Sequence, residues 1–561
     1  MSSDERPSPP AQRRDENDLG GYSRVTTKAI WIQGKGGMHG LVEWRGDASI
    51  DGDGAAGDGR GGNAIDAAVA TMAALNVVEP YMSGLGGGGA MLLHLAQGET
   101  VMLDYGGQIP AAADASLLDE SSVDVGAKAL TAPGSLAGWL AALERYGTKT
   151  PAEVFAPAIE YAEQGVPLTV KNAMFFHSAD ERVHGVARDT FFPNGAPPAA
   201  TLIAQPKLAA TYRALVQGGA DAFYHGEIGK QLVDAVQRAG GFLTEQDLAN
   251  VNVRWAEPAI SSYRGYELRT TSWPMTSYEM QLSLNILEGF DLAQLGHNSV
   301  TSIHTMIEAM KLAIADRIVY AGRAEAPPAG MLSAEYAAAR RALIDPEHAR
   351  PIEGDRYTRP RPEHAVLPGN PADFTRECTT HLDVIDQAGN AVSITQSIGA
   401  VFGSGFMAGD TGIMLNNFLF FLDLDPESPN VIRGNGQLLG PLTPTMLFKD
   451  GRLFLQIGTP GGFGITQTTL QMISNVVDHG FSVQAAIEAP RFKTIANTQL
   501  VIEDRVPRAV LDELRLLGHE VIPIEGFSAA VGGGQGILID PETGAYSGGA
   551  DPRRDGYAMG W

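Results

Sequence analysis

The segment Glu377–Val384, ECTTHLDV, sets the only cysteine of the chain directly before two threonines and a histidine. A threonine hydroxyl is a weak nucleophile unless a base stands beside it. The sequence offers no GxSxG elbow with ordered acid and histidine partners. One arrangement needs no such partners. If the chain is cut before Thr379, the new α-amine, whose ordinary pKa is about 7.7–8.0, lies within reach of the same residue's hydroxyl and can take its proton. Self-cleavage would turn that hydroxyl on the Cys378 carbonyl in an N-to-O shift. On the residues alone a second reading stays open: Thr379, Thr380 and His381 simply begin a strand, because threonine is common in sheets.

The surrounding elements are of the kind such a cut requires. From Ala324 to Glu377 prolines, arginines and acids dominate, a long exposed connection that either carries function or marks a boundary. Beyond Cys378 the pattern reverses: HLDVID, the turn QAGN and AVSITQSI alternate with period two and predict a hairpin. Further strands are read in GIMLNNFLFFL, TPTMLF and GRLFLQIG, and GITQTTLQMISNVVDHG predicts an amphipathic helix closed by Gly480. Upstream, NAIDAAVATMAALNVVEP predicts a buried helix, with Asn63 and Asp66 as a capping box, Ile65, Val69 and Met72 on one face and Pro80 past its end. TSIHTMIEAMKLAIADRIVYAG carries Ile303, Ile307, Met310, Ile314 and Ile318 at helical spacing, a core stripe on which His304 reads as structural. Strand runs and helix runs in separate blocks predict an α+β layered domain with antiparallel sheets.

Composition narrows the chemistry. The chain has 561 residues, 44% of them hydrophobic, and a net charge of -24, which repels phosphate backbones and anionic lipid. Nucleic acid and membrane are therefore not expected as partners, no apolar run of about 18 residues predicts a spanning helix, and a cytoplasmic location is the default expectation. Residues 1–27 are polar and proline-rich and read as a disordered tail. One cysteine forms no internal disulfide, and no Cys/His spacing predicts a metal site. Asp51 and Asp53, in the glycine-rich loop 46–62, lack the later ligands of a calcium loop. Gly84, Gly86 and Gly89 match GxGxxG, but a helix precedes them and the strand-like AMLLHL follows, the reverse of a dinucleotide fingerprint. No cofactor is expected.

A set of residues resembles a known family. Thr379, Thr380, His381, Val384, Gly389, Asn390, Val392, Thr395, Phe402 and Gly403 are similar to the γ-glutamyltranspeptidase signature that starts at a catalytic threonine. GGNAIDAAVA, SGLGGGGAM, TAPGSLAGWLAALERYG, ADAFYHGEIG, LTEQDLA, YRGYE, MLNNF, GTPGGFG and DPRRDGYAMGW extend the resemblance over nearly the whole chain after the tail. The resemblance implies an N-terminal nucleophile hydrolase: a four-layer αββα sandwich made as a precursor that cuts itself at Cys378–Thr379. Residues 28–378 would form the large subunit and 379–561 the small one, held together as a heterodimer that can pair again into a dimer of heterodimers. Gly461 and Gly462 then match the oxyanion-hole pair, and Ser397 stands where the family carries a second threonine hydrogen-bonded to the nucleophile.

The departures from the family lie in its substrate-gripping positions. Gly106 stands where an arginine is expected in LDYGGQIP, Phe418 and Phe421 replace an amide and a carboxylate, Gly440 and Pro441 replace a serine pair, and Gly399 replaces an asparagine. A zwitterionic glutamyl head group set against phenylalanine loses charge-assisted hydrogen bonds of about 1.5–3 kcal/mol each and its hydration besides. The expectation is an autoprocessing amide hydrolase acting on an acyl group other than γ-glutamyl, similar to the cephalosporin-acylase-like and small-amide amidohydrolase branches. Two alternatives remain: a true γ-glutamyl hydrolase or transferase, and an unprocessed homologue that only binds.

Overall fold

The structure, a computed structural model, describes residues 30–33, 62–320, 326, 329–351, 377–436, 438–495 and 497–560. The tail 1–27, the loop with Asp51 and Asp53 and most of the connection 324–376 lie outside the described residues. Two antiparallel sheets pack face to face. The first runs in the order Gly556–Met559, Ile30–Gln33, Glu377–Ile385, Ala391–Ala400, Gly88–His94, Thr100–Tyr105, Arg254–Ala256. The second runs Tyr546–Ala550, Gln535–Ile539, Arg452–Gly458, Thr445–Lys449, Tyr266–Thr270, Ala259–Tyr263.

Period-two alternation decides what each face meets. On the first sheet Met91, Leu93, Leu103, Leu382, Val384 and Ile394 pack with the helices Ala64–Val78, Ser135–Tyr146, Pro151–Gln164 and Pro206–Tyr224. On the second, Leu268, Leu447, Leu455 and Ile457 pack with Tyr278–Leu287, Val300–Tyr320 and Gly464–Val477. Between the sheets Ala90, Leu92 and Met102 meet Met446, Phe448 and Ile537. The layers are therefore αββα, as the resemblance implies. Both sheets take strands from either side of the Cys378–Thr379 bond, so residues before and after it share their cores.

The Ala64–Val78 helix has the predicted capping box, with the Asn63 side chain accepting from the N–H groups of Ile65 and Asp66. It is buried on every side and not along one stripe, because its alanines let a second helix, Pro151–Gln164, cover its back. The predicted helix after GTPGGF is Gly464–Val477, and Gly480 takes the left-handed conformation just past it, at φ 65°.

One expected strand is absent. GIMLNNFLFFL forms only isolated bridges at Met414 and Leu415 and then a 3-10 turn over Phe418–Phe421. The asparagines in its middle supply the bonds a ladder would. Asn416 accepts from the N–H groups of Thr131 and Phe418 and donates to the carbonyls of Gly86 and Thr131, and Asn417 accepts from Ala400 N–H. An alternating pattern cannot signal backbone bonds that side chains satisfy.

Candidate functional site

Thr379 lies on the continuous strand Glu377–Ile385 and is buried, at 2% exposure. Its neighbour across the ladder is irregular: Gln396 pairs with Thr380 and Gly399 with Cys378, so Ser397 and Ile398 together oppose Thr379. Such a bulge swings a side chain out of register. Here it delivers the Ser397 hydroxyl, which donates to the Cys378 carbonyl oxygen at 2.5 Å. Thr379 Oγ1 donates to Ser397 Oγ over 3.4 Å, and Gly399 N–H donates to the same oxygen at 2.7 Å. One serine thus joins the candidate nucleophile to the carbonyl of the bond it would break.

Alternation along the strand separates chemistry from packing. Thr379, His381 and Asp383 share one face, and His381 points at the second sheet: a Cβ on Gly458 would lie 2.3 Å from its ring. His381 is fully buried, with Nδ1 2.9 Å from Thr395 Oγ1 and Nε2 3.1 Å from Asp383 Oδ2. It is a satisfied interior residue, not a reagent. Cys378 is on the other face, in an apolar cluster with Tyr81, Phe176, Ile398 and Phe402. Its thiol therefore points away from the Thr379 side chain.

Gly461 and Gly462 follow Gly458 in the loop that enters the Gly464–Val477 helix, at φ 133° and 55°. Positive φ at both explains why glycine stands there. The loop lies at a helix N-terminus, where backbone N–H groups suit a developing oxyanion.

Phe463, the next residue, joins the two remaining wall residues. Its ring is 5.9 Å from Phe421, which is 6.3 Å from Phe418, and Ile109, Leu419 and Leu439 close the cluster. Gly106 and Gly440 both border Met275: a Cβ on Gly106 would be 3.7 Å from its methyl, one on Gly440 2.8 Å from its sulfur. Pro441 follows, its carbonyl accepting from Thr443 Oγ1. Gly399 has φ 98°, and a Cβ there would strike the Asn417 amide at 2.0 Å. The Asn417 side chain already fills the place that an asparagine at 399 would need.

Two positioning residues escaped the sequence reading. Glu279 and Arg317 are buried, form an ion pair at 2.6 Å, and the Arg317 guanidinium lies 4.1 Å from the centre of the Phe463 ring. Thr466 donates to the other Glu279 oxygen at 2.6 Å. Burial pushes the Glu279 carboxyl above its ordinary value, against the pull of Arg317. The pair thus braces Phe463 and the glycine loop before it from the helical layer. The available signal was charge inside an apolar helix, because Glu308, Lys311, Asp316 and Arg317 interrupt the stripe of Val300–Tyr320.

Among the described residues one group has metal-like composition: His304, Glu308 and His519, all buried. His304 Nδ1 and His519 Nε2 are already hydrogen-bonded at 2.8 Å, His304 Nε2 donates to the Asp345 carbonyl, and Lys311 gives Glu308 its cation at 2.8 Å. His304 and Glu308 are partnered as they stand, whereas His519 Nδ1 is buried without a hydrogen-bond partner.

Comparison with known proteins decides the family. The model of the gamma-glutamyltranspeptidase family matches residues 59–561. The chain belongs to that family. A glutathione hydrolase proenzyme of Bacillus subtilis is 37% identical over 524 residues, 89% of this chain and 88% of its own length. Acylase ACY 1 proenzyme of Pseudomonas sp. strain SE83 is 36% identical over 518 residues, 88% of this chain and 89% of its own. Cephalosporin acylase from Bacillus halodurans superposes with a TM-score of 0.82 at 30% identity, covering 98% of this chain and 99% of that one. This gamma-glutamyltranspeptidase family member is therefore an enzyme, an amide hydrolase of the N-terminal nucleophile type. No helix among the described residues is long and apolar enough to cross a membrane.

Proposed function

We propose that the chain cuts itself between Cys378 and Thr379 and then hydrolyses a small amide whose acyl group is not γ-glutamyl. The observation that carries the first step is the Ser397 bridge. Thr379 Oγ attacks the Cys378 carbonyl carbon, which the Ser397 hydroxyl polarises. The C–N bond breaks, the nitrogen takes the hydroxyl proton, and the resulting ester is hydrolysed by water, leaving a Cys378 carboxylate and a free Thr379 amine. That amine is then the base for the same hydroxyl in every later turnover. Thr379 Oγ bonds to the substrate's acyl carbon while the Gly461 and Gly462 N–H groups hold the oxyanion. The substrate C–N bond breaks, the amine leaves with the proton that the Thr379 amine took from the hydroxyl, and water then hydrolyses the ester to release the acid and the free hydroxyl. The two pieces stay together as large and small subunits because both sheets draw on each of them.

The substrate reading rests on the wall. Gly106, Gly399, Phe418, Phe421, Gly440 and Pro441 present no charged group, and the phenylalanines form an apolar surface with Phe463. A glutamyl zwitterion would lose hydration there without new partners. Relatives named glutathione hydrolase and relatives named acylase stand at nearly equal identity, so the pocket chemistry carries the choice. The test is intact mass and N-terminal sequencing of the purified protein, followed by turnover of γ-glutamyl-p-nitroanilide beside uncharged acyl p-nitroanilides. A mature chain beginning at Thr379 and preference for the uncharged acyl groups is the expected result. Efficient, saturable γ-glutamyl turnover overturns the substrate reading, and a single full-length band favours a homologue that only binds.

A further inference from the structure

The bulge that aims Ser397 is also held from outside the ladder. Asn417 grips its exit twice: its N–H donates to the Ile398 carbonyl at 3.1 Å, and its side-chain oxygen accepts from Ala400 N–H at 2.9 Å. The amide nitrogen on the other side faces Asp124 and donates to its carboxylate at 2.8 Å. Arg182 closes the chain. Its guanidinium bonds both Asp124 carboxylate oxygens, at 2.6 and 2.9 Å, and reaches the Gly403 carbonyl with Nε at 2.8 Å and Nη2 at 2.6 Å. The segment from Ser397 to Gly403 is therefore tied at Ala400 and again at Gly403 to one carboxylate–guanidinium pair. The Asp124 and Arg182 side chains are 14% and 12% exposed, so salt screens the pair little.

The partners lie on opposite sides of the proposed cut. Asp124 and Arg182 precede Cys378, whereas Ala400, Gly403 and Asn417 follow Thr379. In the uncut chain the same strand end has a second support, because Gly399 and Ala400 pair with Cys378 and Glu377. Cutting before Thr379 removes the covalent link that keeps Glu377 and Cys378 in register, and the clamp needs no such link. Its share in holding Ser397 is thus larger after the cut than before it. Glycine at 399 makes room for the clamp: a Cβ there would meet the Asn417 side-chain oxygen at 2.0 Å.

We propose that Asp124 is a positioning residue for amide turnover. It acts through Asn417 on the strand end at Gly399 and Ala400, where Gly399 N–H donates to Ser397 Oγ, the oxygen that also accepts from Thr379 Oγ1. Arg182 orients the Asp124 carboxylate. This inference rests on the acyl-enzyme reading above, and adds a residue of the large subunit to a reaction whose other groups all follow the cut.

Processing and turnover are measured on the same variants, with the uncharged acyl p-nitroanilide that the wild type cleaves best. Asp124→Asn is expected to process at close to the wild-type rate and to lose about 10-fold in kcat, the ordinary worth of one hydrogen bond to a charged group, with KM little changed. Asn417→Asp alone sets two carboxylates face to face and should lose more. The exchanged pair, Asp124→Asn with Asn417→Asp, restores a donor at 124 and acceptors at 417, so its kcat should rise above that of either single variant. A merely structural role would slow both steps alike. Equal losses in processing and turnover, an unchanged kcat, or an exchanged pair no better than the single variants each overturn the inference. Hydrogen exchange tells its failure from that of the acyl-enzyme reading. Amides of residues 397–403 should exchange faster in Asp124→Asn than in the wild type, and identical exchange overturns the clamp. Faster exchange in a protein whose wild type cleaves no amide upholds the clamp and overturns the acyl-enzyme reading alone.

Discussion

The strand that carries Thr379 and the turn that carries Phe418 and Phe421 solve different problems. The first is a ladder: Thr379, Ser397 and the Cys378 carbonyl are brought together by backbone pairing plus a single bulge. The second is an irregular segment whose backbone is tied by Asn416 and Asn417, so its side chains only have to pack. A ladder tolerates little change, since a one-residue slip sends every side chain to the opposite face. A turn held by its own asparagines can exchange the side chains that pack from it without unpairing a ladder. Under the proposed function, this contrast accounts for a chain in which Thr379 and Ser397 sit on a fixed ladder while the proposed substrate wall is apolar.

The comparison can be broken most severely at the nucleophile. Thr379→Ala should leave a full-length chain on a denaturing gel and no amide turnover, while circular dichroism stays that of the folded protein, because the ladder needs only the backbone there. Next is the brace behind the Gly461 and Gly462 loop. Arg317→Met strands the buried Glu279 carboxylate, and loss of one partner of a buried pair typically costs about 3–5 kcal/mol, to be read as a drop in chemical-denaturation midpoint with weakened processing. If stability is unchanged, the wall is not held from the helical layer.

Ser397→Ala sharpens the comparison further. Losing one donor to a developing oxyanion costs about 10²–10³ in rate, so processing followed by gel should slow on that scale, and Ser397→Thr should restore it. Processing at the wild-type rate in the alanine variant would remove Ser397 from the reaction. The smallest effect is expected at Cys378. Its thiol lies on the face away from Thr379, so Cys378→Ser should still be cut at the same bond, with mass spectrometry showing a mature chain from residue 379. Abolished cleavage would mean that the thiol takes part.

Much of this was legible in the order of residues. Period-two alternation in HLDVID and AVSITQSI placed the hairpin, Asn63 and Asp66 marked a helix start, and Gly480 marked a helix end, because these signals act over a few residues. The lone cysteine and the TTH that follows it marked the bond to inspect. Other features depend on residues remote in the chain. The bulge that turns Ser397 toward Cys378 is a property of two strands in register, and nothing in AVSITQSI announces it. The asparagines that cancel a strand in GIMLNNFLFFL do so through partners at Gly86, Thr131 and Ala400. The Arg317 brace on Phe463 joins helices from either side of the proposed cut. Local sequence determined which groups could react and where the chain turns, since backbone propensity and side-chain chemistry are carried by each residue. Only the packed sheets decided which hydroxyl touches which carbonyl and what kind of surface the substrate meets, because those are distances between segments that the covalent chain does not constrain.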